Sequence, residues 1–583
     1  MKNKIVIFSL FASSLVVILY SCKRDFLEVA PLGTYNQPQL TNKQGVNGML
    51  ISTYAALGGL TGTQLSGASN WAWGSISGGE AYKGTEPTDF VNINAIMRYE
   101  VQPSLPNVLT KWNASFEGIG RANQVLRSVA EAKDLSDAEK SQIIGEARFL
   151  RGHYHFELKK IWNNIPFVDE THIPLVADFK IPNMDASGNY INIWPQIEAD
   201  LKFAYDNLDE AKPNRGRANK WAAASFLAKA YMFQNKFAEA KALFDLIIAN
   251  GKNPQNVKYD LTPNYQSNFR ITQENNSETV FAIQYSYGDG SNTNGNYDNS
   301  LNYPHNTPAE FGAGCCGFFQ PSQTFVNAFK TTADGLPMLD NFNETDVTSD
   351  EGVAPTAAFT PYQGTLDPRL DWTVGRRGVP YQDWGIFPGS PWIRKQDYGG
   401  PYAPKKNVFY KSDNGTSAGS VGWGWNNNAL NFTIIRYADV LLMAAEAEIE
   451  VGSLAKAAEY INRVRARAAA SPVVNGAAPA ANYLVSPYTS FAAKDDARKA
   501  VRMERMLELG MEGHRFFDLN RWGITADYIN NVYLSKEKVR RASALGGAVF
   551  TKNKDEYQPI PEFAINQSIK EGTPTLKQNP GYQ

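Results

Sequence analysis

The chain has 583 residues, enough for several hydrophobic cores, and length alone suggests about four domains. Its 57 Lys and Arg face 58 Asp and Glu, a net charge of -1 with no basic run beyond pairs such as Lys405 and Lys406, which argues against nucleic acid as a partner. Aromatics make up 12%, with 12 Trp and 28 Tyr, and these two side chains suit ligand surfaces because each joins a flat apolar face to one polar handle.

Lys2 and Lys4 precede a mostly apolar run over residues 5–20, short for a membrane span and right for a secretory signal. The run ends in Leu19, Tyr20, Ser21 and Cys22, which resembles a lipobox with a bulkier residue than usual at Tyr20. That resemblance makes residues 1–21 a lipoprotein signal peptide and Cys22 the lipidated first residue of one body over 22–583, tethered to a membrane by its lipid. No later stretch approaches 18 unbroken apolar residues. The other cysteines, Cys315 and Cys316, form no C-x-x-C pair and no zinc spacing. Neighbouring cysteines rarely bridge without strain, so two small buried or half-buried thiols are expected.

Helical spacing begins with Val46, Met49, Leu50, Tyr54 and Leu57. Residues 58–90 then turn to Gly, Ser and Thr around Trp71, Trp73 and Tyr82, which predicts an irregular loop presenting aromatics to ligand. Trp112, Phe116, Ile119 and Asn123 restore helical spacing, and a long amphipathic helix follows from Ser141 up to Pro166. His153 and His155 inside it cannot share a helical face, so a metal reading of the two fails. Residues 216–251 read as helix, turn at Asn235, helix, and a second such unit starts at Arg436 with its turn at Gly452; both resemble tetratricopeptide repeats. Neither unit buries its apolar face alone, so the scaffold pieces, about 40–280 and 431–523, must stack into one α-rich body. The insertion at 286–317 carries Tyr287, Tyr297 and Tyr303 among turn formers. The insertion at 371–430 holds Trp372, Trp384, Trp392, Tyr402, Trp423 and Trp425, and Trp423 and Trp425 sit near enough to a scaffold helix to read as core.

Near the carboxyl end, Met503, Met506, Leu507 and Gly510 give one apolar helical face, followed by a dense run of charge and aromatics through Trp522. Glu508 with Glu512, or His514 with Asp518, are spaced for a proton-handling or metal-holding pair. Ion pairing is the commoner use of such spacing, and Arg505, Arg515 and Arg521 lie close enough in sequence to neutralise these carboxylates.

The run E-L-G-M-E-G-H-R-F-F-D-L-N-R-W-G at 508–523 resembles the signature of the SusD/RagB family of Bacteroidetes outer-membrane nutrient-binding lipoproteins. E-A-R-F-L-R at 146–151, T-V-F-A-I-Q-Y at 279–285, D-P-R-L at 367–370, R-Y-A-D at 436–439 and Q-N-P-G-Y at 578–582 resemble further family motifs. The resemblance implies a mostly α, tetratricopeptide-like scaffold with long irregular loops and a few short strands. It also implies a non-catalytic, outer-membrane glycan-binding lipoprotein, facing the cell exterior, that serves a SusC-like TonB-dependent transporter. It requires no cofactor, although some relatives carry a structural calcium ion and no D-x-D-x-D-G loop appears here. Sugar rings pack an axial C–H face on Trp or Tyr, so the expected ligand contacts are Trp71, Trp73, Tyr82, Trp384, Trp392 and Tyr402. A RagB-like peptide binder is the alternative. A glycoside hydrolase is a weaker one, because it needs a placed pair of carboxyl groups and no pair has supporting context.

Overall fold

A computed structural model describes residues 37–172, 180–291, 294–308, 311, 314–421 and 425–583, so Cys22, the signal segment and Trp423 lie outside the described residues. The scaffold helices are α1 (Lys43–Ala55), α2 (Pro106–Glu131), α3 (Asp137–Trp162), α4 (Trp194–Asn207), α5 (Lys220–Met232), α6 (Phe237–Asn250), α7 (Tyr437–Val451), α8 (Leu454–Ala469), α9 (Lys494–Leu509) and α10 (Arg515–Arg521). Strands are short: β1 (Thr279–Ile283), β2 (Ala418–Val421), β3 (Trp425–Asn428) and β4 (Phe432–Arg436) carry the longest pairings. The expected mostly α fold is the observed one. No described helix is long and apolar enough to cross a membrane.

Local chemistry sets the helix ends. Ser136 opens α3 with a capping box: its hydroxyl accepts from the Glu139 amide at 3.3 Å and the Glu139 carboxylate accepts from the Ser136 amide at 2.9 Å. Asn219 caps α5 by accepting from the Ala222 amide at 2.8 Å. Helices α2 to α6 pack each against the next, and α7 then docks on α6 across the whole intervening insertion. The two repeat units therefore stack directly, as their unburied apolar faces require. β1 and β4 seal the joint as an antiparallel pair, Thr279 opposite Arg436 and Ile283 opposite Phe432.

The joint is filled by charge. Arg436 donates to Glu278 at 2.7 Å, to Glu508 at 2.5 Å and to Glu512 at 2.9 Å, while Arg369 reaches Glu504 at 2.7 Å, Glu508 at 2.9 Å and Asp367 at 2.7 Å. Arg467 pairs with Glu278 and Glu508, Arg465 with Glu504, and Lys406 with Glu512. Five cations thus meet five carboxylates, all buried, and the cluster is neutral as a whole. Burial alone would raise the Glu508 carboxyl, yet the guanidiniums of Arg467, Arg436 and Arg369 hold it well below the usual carboxylate range. Glu508 and Glu512 are spoken for as ion-pair partners. Their cations are distant in sequence, and Arg515, expected to help neutralise them, instead lies 4.5 Å over the Tyr528 ring. Arg505 and Arg521 neutralise Asp518, each at 2.9 Å. Burial, reinforced by Lys229, pushes His514 down to about 3 and keeps its ring neutral.

Against this joint lies the segment that sequence reads as a ligand-presenting loop. Residues Trp71–Ile76 form a π-helix pressed onto the 511–514 turn. A Cβ on Gly74 would stand 1.9 Å from the Gly513 carbonyl oxygen, so the approach admits glycine alone. The Met511 amide donates to Glu80 at 3.0 Å and the Gly513 amide to Ser75 at 3.0 Å. Cys315 and Cys316 are joined to each other by a disulfide, which corrects the expectation of two separate thiols.

Two outcomes follow. Arg436→Ala leaves Glu278, Glu508 and Glu512 their other partners but makes the buried cluster one cation short, and it is expected to cost about 3–5 kcal/mol, read as a lower melting temperature. Burial lifts Glu80 from 4.5 to about 7, so between those pH values the unfolded chain has released a proton that the folded chain keeps, and stability falls as pH rises through the window. The melting temperature of Glu80→Gln relative to the natural protein is therefore expected to climb from pH 4.5 to 7 and level off above it.

Candidate functional site

Of the six aromatics expected to meet ligand, four are core. Trp71 and Trp73 are 1% exposed, and their indole N–H groups donate at 2.9 Å to the carbonyls of Asp298 and Leu65. The Tyr82 hydroxyl, fully buried, donates to Glu537 beneath the Arg541 guanidinium. The Tyr402 hydroxyl donates to Gln323 at 3.0 Å. Each ring has its polar atom satisfied internally and no face left for a sugar, so these four are corrected from ligand contacts to packing groups.

Trp384 and Trp392 are half-buried and come together on a satellite core distinct from the main one, built from the 371–430 insertion folded over Tyr303 and Phe311. Trp384 stacks on Phe311 with centroids 4.0 Å apart and planes 14° apart, and its N–H donates to the Phe409 carbonyl at 3.0 Å. Trp392 stands edge-on to Phe311, Tyr381 and Phe387. The His305 amide donates to the Trp392 carbonyl at 3.0 Å, and Arg394 bridges to Glu86 and Asp89 at 2.5 and 2.6 Å, which pins this segment to residues 85–89. The two indoles are held rigidly with their outer edges free of the core. The Lys411 ammonium stands 6.0 Å from the Trp384 ring as a neighbouring donor.

A second concavity was not read from sequence. A cleft of about 580 Å³ opens between the turn that follows α1, residues 214–217, the end of β1 and residues 294–297. Tyr54, Tyr285 and Tyr297 are half-buried in it, beside Arg217, Gln284, Asn214 and Asn294. Arg217 is fixed by Glu146 at 3.0 Å and sits 5.3 Å over the Tyr54 ring, whose hydroxyl also donates to Glu146 at 2.7 Å. A Cβ added to Gly58 would stand 3.5 Å from the Tyr285 ring, so this glycine faces the ring across the cleft. Tyr297 was visible as an insertion tyrosine. Tyr54 and Tyr285 were not, because they occur on a scaffold helix and just past a strand where aromatics usually pack inward. Among the described residues no group of three or more His, Cys, Asp or Glu could hold a metal ion.

Comparison with known proteins decides the family. The profile of the SusD family matches residues 277–582, just over half the chain, and a second profile, "Starch-binding associating with outer membrane", matches residues 74–232. The chain belongs to the SusD family. A relative of this SusD-family chain, the SusD-like protein P25 of Formosa agariphila, is 28% identical over 77% of this chain and 76% of its own length. Among solved structures, a laminarin-binding SusD-like protein superposes with a TM-score of 0.65 at 21% identity, covering 93% of this chain and all of the other. The surface glycan-binding protein A of Bacteroides thetaiotaomicron, in complex with laminarihexaose, gives 0.62 at 20% identity, over 92% of this chain and all of the other. At such identities these two likenesses speak for the SusD fold and not for a shared ligand.

Proposed function

We propose that this protein is a non-catalytic, lipid-anchored glycan-binding protein of the outer membrane that captures oligosaccharide on the cell exterior and passes it to a SusC-like TonB-dependent transporter. The observation that carries the reading is the cleft of about 580 Å³, in which three half-buried tyrosine rings stand beside a guanidinium and three side-chain amides. Rings supply the flat face that a pyranose covers, and Arg217, Gln284 and Asn214 supply directional partners for its hydroxyls. Its described lining contains no Asp or Glu, whereas hydrolysis of a glycosidic bond calls for two carboxyl groups across the sugar. The Trp384 and Trp392 edges offer a second aromatic surface, on the 371–430 insertion. Family membership supports the partner and the anchor, and the reading requires no cofactor. The laminarihexaose complex of a structural neighbour makes β-1,3-linked glucans the first ligands to try.

Calorimetry of the lipid-free chain against a panel of polysaccharides and their oligomers tests this. The Tyr285→Ala, Tyr297→Ala double variant is expected to bind the positive ligand at least about tenfold more weakly, a loss of ~1.4 kcal/mol, with little change in melting temperature. Undiminished affinity in that variant would remove the cleft from the account, and binding confined to peptides would replace glycan as the ligand class.

A further inference from the structure

A different cleft, of about 430 Å³, lies where the end of α3, the turn after α10, residues 552–557 and the carboxyl-terminal residues 579–580 meet. Its volume is in the range of small-molecule sites, roughly 300–1,000 Å³. Its frame is fully bonded. The Asn164 amide donates to Asn579 at 3.0 Å, Asn579 donates to the carbonyls of Trp162 and Gln558 at 2.7 Å each, and Asn520 donates to the Glu556 carbonyl at 2.7 Å. The groups on that frame that line the opening are, by contrast, without partners among the described residues. The side-chain amides of Asn163 and Asn553, the Lys552 ammonium and the Asp527 carboxylate make no hydrogen bond or ion pair, and Glu556 Oε2 is buried in the wall with none. Asn163 and Asn553 both sit at positive φ, +61° and +66°, a turn conformation that asparagine adopts more readily than most residues.

We infer that this cleft is a second ligand site, taking a neutral sugar of one or two rings. Asn163 and the buried Glu556 Oε2 are held in the wall of that bonded frame, so a ligand gains their hydrogen bonds at little ordering cost, while Asp527, Lys552 and Asn553 are exposed at the rim. The tips are mixed, with donors at Asn163, Asn553 and Lys552 and acceptors at Glu556 and Asp527. A sugar hydroxyl both donates and accepts, so adjacent hydroxyls of one ring can satisfy both kinds, and the half-buried Tyr557 ring offers a face beside them. A polyanion would meet the Glu556 and Asp527 carboxylates, and a polycation would meet Lys552. Lys554 does not tip this balance because Asp555 stands 3.4 Å from it. The choice of sugar as ligand class rests on the glycan reading above, while the existence of the site rests on the cleft itself and the buried, unpartnered Glu556 Oε2 in its wall.

The test is calorimetry with three neutral disaccharides, laminaribiose, maltose and cellobiose, and with laminarihexaose. The proteins are the natural chain, the Tyr285→Ala, Tyr297→Ala variant, and an Asn163→Gly, Glu556→Gln variant. Glycine keeps the positive φ while deleting the amide, and glutamine keeps the shape of Glu556 while removing its charge, so the last variant is expected to melt within a few degrees of the natural protein. The expected result is a disaccharide affinity at least tenfold weaker in the Asn163→Gly, Glu556→Gln variant and retained in the tyrosine variant. If that loss appears while laminarihexaose binding ignores the tyrosines, the second site stands and the main cleft falls. Disaccharide binding that depends on the tyrosines alone, or equally on both variants with a stoichiometry of one, overturns the second site and keeps the main one. No heat from any disaccharide with the natural protein overturns the second site; absence of laminarihexaose binding as well removes both.

Discussion

The guanidinium of Arg436 and the carboxylate of Glu508 meet at 2.5 Å in a place that water does not reach, and the architecture depends on that contact being made. A buried ion left without a counter-charge is among the most expensive defects a protein can carry. The chain answers with five cations and five carboxylates drawn from the approach to β1, the 367–369 turn, the insertion at Lys406, and helices α8 and α9. Nothing short of the complete fold assembles that set, because Glu278, from the first scaffold piece, reaches Arg436 only when the second piece has docked on the first. The network therefore acts as a specificity device. It contributes little beyond what apolar packing would, but it makes partial assembly costly.

With the joint locked, the insertions can be irregular without being loose. Tyr303 and Phe311 support Trp384 and Trp392 through a small aromatic core of their own, and Arg394 ties the Trp392 segment back to residues 85–89. The end of β1, adjacent to the network through Glu278, carries Gln284 and Tyr285 into the larger cleft. Binding groups are thus displayed on turns whose bases are anchored in the scaffold, an arrangement in which recognition surfaces can differ between relatives while the joint stays the same.

The sequence disclosed the scaffold well because its signals are local. Helical periodicity, the turns at Asn235 and Gly452, and the short motifs around Arg369, Arg436 and Glu508 could each be read within about 20 residues. The structure adds that these separated motifs are one object, since their charged members neutralise each other. The ligand surface was harder to read. Trp71, Trp73, Tyr82 and Tyr402 occur in Gly- and Ser-rich surroundings that resemble exposed loop, yet each found a buried partner for its single polar atom, at Asp298, Leu65, Glu537 and Gln323. Whether a Trp faces in or out is decided by such distant acceptors, and no local pattern records them. Arg515 failed for the mirror-image reason: nearness in sequence to Glu512 did not bring it to that carboxylate, and it packed on Tyr528 instead.

Labour is divided in this fold: the buried charge network holds the scaffold, and the turns and insertions carry the surface we propose for glycan. Hydrogen-exchange mass spectrometry of the chain with and without its best-binding oligosaccharide measures that division directly. Ligand-dependent protection is expected at residues 57–62, 284–291, 294–297 and 384–392, with unchanged exchange across residues 502–523. Protection concentrated in 502–523, with the insertions unaffected, would contradict it.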